Sequence, residues 1–237
     1  MIGNKRLLAI IPARIGSKRI HKKNILNLAG KPLIGWTIEA ALSSQYIDKI
    51  IVSTDSNEIA NISQNYKVDV PFLRPHSLSS DTASSIDVII HTLEYLKKIG
   101  DYYDYIVLLQ PTSPLRTSSH IDEAVCLLIE NKGYSVISVS EPKDTPFWCN
   151  ELPKDNNMSN FLNPLYSNKR SQELPITFCL NGAIYIALVD QLLENKSFFM
   201  SDKTFAYKMD KKDSIDIDDE LDFEFADFLI RKKNSLS

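Results

Sequence analysis

Short apolar runs alternate with amphipathic stretches from residue 7 to residue 139, and this alternation constrains the fold more than any other feature. The runs are typical of buried strands and cover residues 7–11, 49–53, 105–109 and 135–139. The stretches between them have helical spacing and cover residues 32–42, 56–66, 84–98 and 119–131, with Asp55 or Ser56 expected to cap the second. Strand and helix taking turns predicts an α/β fold with three layers, α/β/α, around a mainly parallel sheet.

The alternation stops between residues 142 and 177. This segment is rich in Pro, Asn, Asp and Lys, and its aromatic residues, such as Phe147 and Trp148, follow no clear period. We interpret it as an excursion from the sheet, a hairpin arm used in dimer contacts. A strand over residues 183–188 and an amphipathic helix over 219–232 are expected to follow. With 237 residues and no internal repeat, the chain is expected to form a single domain over residues 1–237.

Composition excludes several classes of function. The formal net charge of −3 gives no basis for wholesale binding to nucleic acid. No apolar run approaches the roughly 20 residues that cross a bilayer, so no membrane partner is expected. Three cysteines lie far apart without a CxxC pair, and the amino terminus shows no small-residue cleavage site. These features predict reduced thiols and a cytoplasmic location.

A basic loop follows the first strand. It carries Arg14, Gly16 and Ser17, and Lys23 and Asn24 come shortly after. Glycine lets backbone N–H groups face phosphate oxygens, and the cations offset phosphate charge. Because ligands bind beyond the carboxyl ends of strands in such sheets, the loop suits a triphosphate. The alternative is an ordinary basic surface turn.

A stiff polar turn follows the third strand. Gln110 precedes the first of two prolines, and Thr112 and Ser113 lie between them. Such a turn could present the amide of Gln110 and the two hydroxyl groups to a ligand. The same pattern is also common where a loop leads into a helix.

Acidic residues alternate with isoleucine near the end of the chain. On an extended segment, Asp216 and Asp218 point to one side while Ile215 and Ile217 anchor the other. Two carboxylates that project together form a fair magnesium site when substrate phosphates complete the coordination shell. The alternative is an acidic strand end followed by a helix cap.

Taken together, these segments resemble the acylneuraminate cytidylyltransferases, which make CMP-activated sialic acids. The matching segments occur in family order and are IPARIGSKRIHKKNI, GKPLIGWTIEAA, VSTDSNEIA, FLRP, SSDTASS, LLQPTSPLR, NGAIYI and DSIDIDDELD. The resemblance implies a Rossmann-like nucleotide-diphospho-sugar transferase fold. It also implies Mg²⁺, a homodimer, and CTP and a nonulosonic acid, an acidic nine-carbon sugar, as substrates.

The implied reaction joins CMP from CTP to the anomeric hydroxyl of N-acetylneuraminic acid and releases pyrophosphate. Two alternatives stay open. One is CMP transfer to legionaminic acid, and the other is a non-catalytic relative that only binds CTP.

The resemblance also implies a role for individual residues. The catalytic residues would be Arg14, Lys23, Asp216 and Asp218, with the two aspartates holding the metal. Nucleotide contacts would come from Arg14, Gly16, Ser17, Lys23, Asn24, Arg74, Ala83 and Ser85. Sugar contacts would come from Gln110, Arg170, Tyr185, Phe198 and Phe199.

The first loop departs from the family pattern. Ile15 and Arg19 stand where the family usually has glycine. Because Ile15 is β-branched, its backbone is expected to avoid positive φ. Ser171 stands where family members often carry arginine, and the neighbouring Arg170 is expected to reach the sugar carboxylate from a partner subunit.

Overall fold

The computed structural model describes residues 2–80 and 82–235. In chain order, the strands are β1 (Leu7–Pro12), β2 (Asn27–Leu28), β3 (Lys31–Pro32), β4 (Lys49–Ser53), β5 (Tyr105–Leu108), β6 (Ser135–Ser140), β7 (Cys179–Leu188) and β8 (Thr204–Lys208). The helices are α1 (Leu33–Leu42), α2 (Asn57–Asn65), α3 (Ser85–Lys98), α4 (Ser118–Glu130), α5 (Val189–Asn195) and α6 (Glu220–Asn234). None of the helices within these residues is long and apolar enough to cross a membrane.

Six strands form one mixed sheet in the order β4-β1-β5-β7-β6-β8. Strand β1 pairs in parallel with β4 and β5, and β6 pairs in parallel with β8. Strand β7 is antiparallel to both of its neighbours, β5 and β6. Five of the six strands therefore run in one direction, which confirms the mainly parallel sheet.

Strand β1 is buried on both faces of the sheet. Leu7, Ala9 and Ile11 pack with residues of α1, α2 and α4 on one face. Leu8 and Ile10 pack with residues of α3 and α5 on the other. Burying a Leu or Ile side chain contributes about 1.5–3 kcal/mol, so both faces stabilise the fold. The two core clusters confirm the three-layer arrangement, and helix α6 covers a third cluster around the β2–β3 hairpin.

Most predicted elements lie within two residues of their observed positions. Ser56 caps α2, where the sequence allowed Asp55 or Ser56. The sequence analysis missed α5, β8 and the β2–β3 hairpin, and it began β7 four residues too late at residue 183. Helix α5 follows β7 directly, without a turn residue that would mark its start. Strands β2 and β3 have two residues each, which is too short for a periodic pattern.

The segment over residues 142–177 leaves the sheet as predicted, but it contains no strand. Short 3₁₀ turns at Pro146–Trp148 and Ser171–Glu173 are its regular elements, so the hairpin interpretation is wrong. Its proline and asparagine content favours local turns over strand pairing. The rings of Phe147 and Tyr166 pack against each other at 4.4 Å between centroids.

A bulge interrupts the pairing of β6 with β7. The register moves from Ile137–Tyr185 to Val139–Leu180, so one residue of β6 faces four of β7. Ser138 fills the gap because its Oγ donates to Asn181 Oδ1 at 2.6 Å and accepts from the Ile184 N–H at 2.8 Å.

A hydrogen bond connects the bulge to the segment that carries the predicted acids, Asp216 and Asp218. Asn181 is buried, and its Nδ2 donates to Ser214 Oγ at 3.1 Å. Ser138 therefore supports the chain just before Asp216.

Ser138→Ala is expected to destabilise the fold by about 1–3 kcal/mol, because it removes the Ser138 acceptor of the buried Ile184 N–H and one of the two donors to Asn181 Oδ1. Ser135→Ala is the matched control. Ser135 lies buried in the same strand, and its Oγ has no hydrogen-bond partner within the described residues. Urea unfolding with an unchanged m value measures the difference. Equal losses for the two variants would contradict the role of Ser138.

Candidate active site

An open cavity of about 560 Å³ lies beyond the carboxyl ends of β1 and β5. Ten of the predicted site residues line it: Arg14, Ser17, Lys23, Asn24, Arg74, Ala83, Ser85, Gln110, Asp216 and Asp218. The fold therefore gathers segments that are some 200 residues apart in sequence, at the edge where parallel sheets bind ligands.

Two hydrogen bonds hold the basic loop after β1 to the end of β4 and to the loop that follows β4. The Ala13 N–H donates to Ser53 O at 2.9 Å, and the Ile15 N–H donates to Asp55 Oδ1 at 3.0 Å. Asn24 is buried, and its Nδ2 donates to Arg14 O at 2.8 Å, so its amide nitrogen holds the loop rather than facing the cavity.

The departures of this loop from the family pattern are accommodated. Ile15 avoids positive φ, as its branched side chain predicts. Gly16 lies in the loop but not on the cavity wall, whereas Arg19 lies on the wall.

Lys23 connects the basic loop to the acidic segment. Its Nζ donates to the backbone oxygen of Ile217, between the two aspartates. Burial lowers the pKa of Lys23, while the charges of Asp218 and Asp216 oppose that shift. The side chain thus places one positive charge beside two carboxylates at the wall of the cavity.

Asp216 and Asp218 lie on the same wall, and both side chains are exposed. Desolvation at the wall raises the pKa of Asp216, and the charge of Lys23 opposes that shift. Asp218 is largely exposed and pairs with Arg19 at 3.0 Å between Oδ2 and Nη1. Between them, Ile217 is fully buried, and its N–H donates to Thr112 O at 2.8 Å. The alternation predicted from the sequence is therefore present in the fold.

Gly182 lies directly behind Asp216. It has a φ of +73°, and a Cβ at this position would lie 3.2 Å from Asp216 Oδ2. A glycine meets both constraints, since it adopts positive φ without strain and leaves room for the carboxylate.

These two carboxylates fit a magnesium site that substrate phosphates complete. Carboxylate oxygens are hard ligands, and Mg²⁺ is usually bound by one or two of them together with phosphates. Within residues 2–80 and 82–235, no three His, Cys, Asp or Glu side chains gather closely enough to hold a metal by themselves.

The opposite end of the cavity is formed by Arg74 and the start of α3. Arg74 is buried, its N–H donates to Thr54 O at 2.7 Å, and its Nε donates to Ser79 Oγ at 3.2 Å. Burial lowers the pKa of its guanidinium group. Ala83 and Ser85 line the cavity here. The predicted segment over residues 79–85 includes position 81, which lies outside the described residues.

Gln110 lines the cavity, but the other predicted sugar contacts do not. Phe198 is buried in the core, with its ring 5.2 Å from that of Tyr185, and Phe199 is exposed. Tyr185 is half-buried, and burial and then the charge of Asp216 raise its pKa. Arg170 lies exposed in the excursion. A single chain therefore does not bring these four residues to the cavity wall.

The sequence analysis missed Arg116, a fully buried cation beneath this wall. Its Nη1 donates to Gln110 O at 3.1 Å and to Ala183 O at 3.0 Å, and its Nη2 donates to Thr37 Oγ1 at 2.6 Å. Nothing in the sequence separates this arginine from one on the surface, because its acceptors come from three distant elements.

Comparison with known proteins identifies the family. A cytidylyltransferase family model matches residues 8–222, a range that contains every cavity-lining residue named above. The chain belongs to the cytidylyltransferase family. The resemblance to acylneuraminate cytidylyltransferases is thereby confirmed at the level of the family.

Two relatives in this cytidylyltransferase family carry different names. The CMP-N,N′-diacetyllegionaminic acid synthase of Legionella pneumophila is 40% identical over 232 residues, which cover 95% of this chain and 96% of that protein. The N-acylneuraminate cytidylyltransferase of Escherichia coli is 42% identical over 230 residues, which cover 97% of this chain and 53% of that protein. This chain thus spans about half the length of the Escherichia coli relative.

A solved structure supports the fold. The CMP:2-keto-3-deoxy-manno-octonic acid synthetase, in a complex with CTP, aligns with a TM-score of 0.70 at 16% identity. The alignment covers 96% of this chain and 99% of that one. The nucleotidyltransferase fold implied by the sequence is therefore confirmed over nearly the whole chain.

Proposed function

We propose that this cytidylyltransferase transfers CMP from CTP to the anomeric hydroxyl of a nonulosonic acid and releases pyrophosphate. The observation that carries the proposal is the cavity, which sets Arg14 and Lys23 against the carboxylates of Asp216 and Asp218. The cations match the triphosphate and the carboxylates match a divalent ion, as nucleotidyl transfer requires.

The reaction is an in-line displacement at phosphorus. The anomeric oxygen forms a bond to the α-phosphorus, the bond from that phosphorus to the bridging oxygen breaks, and pyrophosphate leaves. Arg14 and Lys23 hold the phosphates and offset their negative charge, and Gln110 orients the sugar. Most of the rate acceleration comes from this alignment and charge neutralisation.

The anomeric proton has to move to a base at the same wall. Either a water molecule or the carboxylate of Asp216 takes that proton. Its neighbour Lys23 keeps the local charge in balance. Asp216 and Asp218 are the residues that would hold magnesium, which when bound withdraws electron density from phosphate oxygens.

The sugar is the finer part of the proposal. N-acetylneuraminic acid is the acceptor that the motif pattern favours, and the Escherichia coli relative carries that activity in its name. N,N′-diacetyllegionaminic acid fits equally, because the Legionella relative named for it matches this chain from end to end.

Pyrophosphate release with CTP, Mg²⁺ and a panel of nonulosonic acids tests both the reaction and the acceptor. The preferred sugar is the one with the highest kcat/KM. Binding of CTP without pyrophosphate release for any sugar would favour the non-catalytic alternative.

We also propose a cytoplasmic enzyme. Cys126, Cys149 and Cys179 are free thiols in the structure, and two of them are exposed. Exposed thiols persist in a reducing compartment, which supports this location.

Asp216→Asn and Asp218→Asn are each expected to lower kcat by at least about 10²-fold, because each removes a charge needed in the transition state. Asp219→Asn is the matched control. Asp219 is the N-cap of α6, and asparagine caps a helix as well as aspartate does. Steady-state kinetics at saturating Mg²⁺ provide the measurement. Near-normal kcat in either of the first two variants would contradict the metal assignment.

CTP is expected to exceed UTP in kcat/KM by about a hundredfold or more, because uracil would leave two buried polar groups mispaired at about 1–3 kcal/mol each. Backbone oxygens near Ala83 would accept from the cytosine amine, and Arg74 would donate to the ring. Arg74→Lys should lower the ratio of kcat/KM for CTP to kcat/KM for UTP. Arg14→Lys, on the phosphate side, should weaken both nucleotides alike. Comparable kcat/KM for CTP and UTP in the unmodified enzyme would refute this assignment.

We propose that two copies of the chain form a dimer through the excursion over residues 142–177. Four of its large apolar side chains are more than half exposed: Leu152 at 57%, Met158 at 55%, Leu165 at 71% and Ile176 at 76%. Apolar surface on this scale is typical of a protein interface. A second copy would also offer Arg170 a route to the neighbouring cavity.

Light scattering at micromolar concentration should give the mass of two chains. Replacing Leu165 and Ile176 together by aspartate should give the mass of one chain. Leu221→Asp is the control, since Leu221 is 73% exposed on α6, outside the excursion. A one-chain mass for the unmodified protein would refute the dimer.

A further inference from the structure

Arg116 is a buried cation that lacks an acidic partner within the described residues. Its side chain is enclosed by the loop after β5, by β7 and by α1, and its Nε has no hydrogen-bond partner within these residues. All three of its hydrogen bonds go to neutral oxygen atoms. The charge is therefore solvated by the protein backbone and one hydroxyl group, and not by a carboxylate.

Such a cation is costly for stability. Moving an ion out of water costs several kcal/mol even after relaxation, and a well-packed apolar side chain avoids that cost. Burial lowers the pKa of Arg116 to about 9, so the guanidinium still carries its proton at neutral pH. Packing alone does not account for an arginine here, whereas a group with several fixed donors does.

The three acceptors belong to segments that form the wall of the cavity or support it. Gln110 lines the cavity, and its backbone oxygen accepts from both Arg116 and Thr37 Oγ1, the latter at 3.4 Å. Ala183 follows Gly182, whose backbone lies against Asp216. One guanidinium group therefore connects the predicted sugar contact with the backbone behind a predicted metal ligand.

The Gln110 segment is also connected directly to the acidic segment. Thr112 lies two residues after Gln110, and its backbone oxygen accepts from the Ile217 N–H at 2.8 Å. That bond holds the acidic segment itself, while Arg116 holds the stretch of β7 that lies behind Asp216. Together they fix how far the Gln110 wall stands from Asp216.

We propose that Arg116 is a positioning residue that sets the acceptor-sugar side of the cavity relative to Asp216. The inference rests on the proposed function, since it assigns Gln110 to the sugar. A misplacement of about 1 Å at a reacting centre costs on the order of 10²-fold in rate. Loss of the guanidinium fork should therefore affect the sugar step more than CTP binding, because Arg116 bonds to none of the predicted nucleotide contacts.

Two variants test the proposal without depending on each other. Arg116→Lys replaces the planar fork by a single ammonium group. Thr37→Val keeps the arginine and the side-chain shape but removes one of its three acceptors. Thr92→Val is the matched control, because Thr92 is also a buried helix threonine and its hydroxyl bonds to Val88 O in its own helix.

For Arg116→Lys and Thr37→Val, kcat/KM for the acceptor sugar is expected to fall by about 10- to 10²-fold. The Kd for CTP, measured by calorimetry without sugar, should change by less than about twofold, since neither side chain bonds to a predicted nucleotide contact. Thr92→Val should keep both constants. All assays run below the Tm of each variant, and if Arg116→Lys does not fold, Thr37→Val decides.

The outcomes separate this inference from the proposed function. Arg116→Lys and Thr37→Val could lose thermal stability and still keep the kcat/KM for the sugar. That result would show that Arg116 is only structural. Equal losses for sugar and CTP would also overturn the inference. If the unmodified protein releases no pyrophosphate with any acid sugar, the proposed function and this inference both fall.

Discussion

The burial of β1 on both faces is the constraint on which the rest of the structure depends. Alternate residues of this strand enter two separate cores, so it cannot shift by one residue without exchanging the whole set. Its carboxyl end is therefore fixed, and the basic loop starts from a fixed point. Strands β4 and β5 are held beside it in parallel, which brings their carboxyl ends to the same edge.

At that edge the site brings positively and negatively charged side chains into contact. The basic loop and the acidic segment meet at the cavity wall, where Arg19 pairs with Asp218 and Lys23 donates to Ile217 O. The bond orders the cation before any ligand arrives, which lowers the entropy lost on binding. Desolvation makes both Lys23 and Asp216 easier to neutralise than in water, and each opposes the shift in the other. The pair is thus poised near the chemistry without needing a ligand to assemble it.

Local patterns predicted the alternating elements, the basic loop and the two acids, whereas wall residues such as Arg74, Ala83 and Ser85 were implied only by the family resemblance. For example, the alternation of Ile215 and Ile217 with the two acids predicts that both acids point to the same side of the segment. What the sequence analysis missed depends on contacts between distant segments. Arg116 looks like any arginine after a proline-rich turn, and its three acceptors at Thr37, Gln110 and Ala183 emerge only in the fold. Phe198 was assigned to the sugar by family motif, but packing against Tyr185 places it in the core.

The reversed direction of β7 has a consequence for how such a chain can change over evolution. Because β7 runs against β6, the residue that ends β6 and the residue that begins β7 are paired neighbours, Ser140 and Cys179. The long segment between them therefore leaves and re-enters the scaffold at almost one point. Its length and content can vary without moving any strand, as in other surface insertions. The fold thus carries a variable insertion at the edge of the sheet where the parallel strands end, the edge that also carries the candidate site.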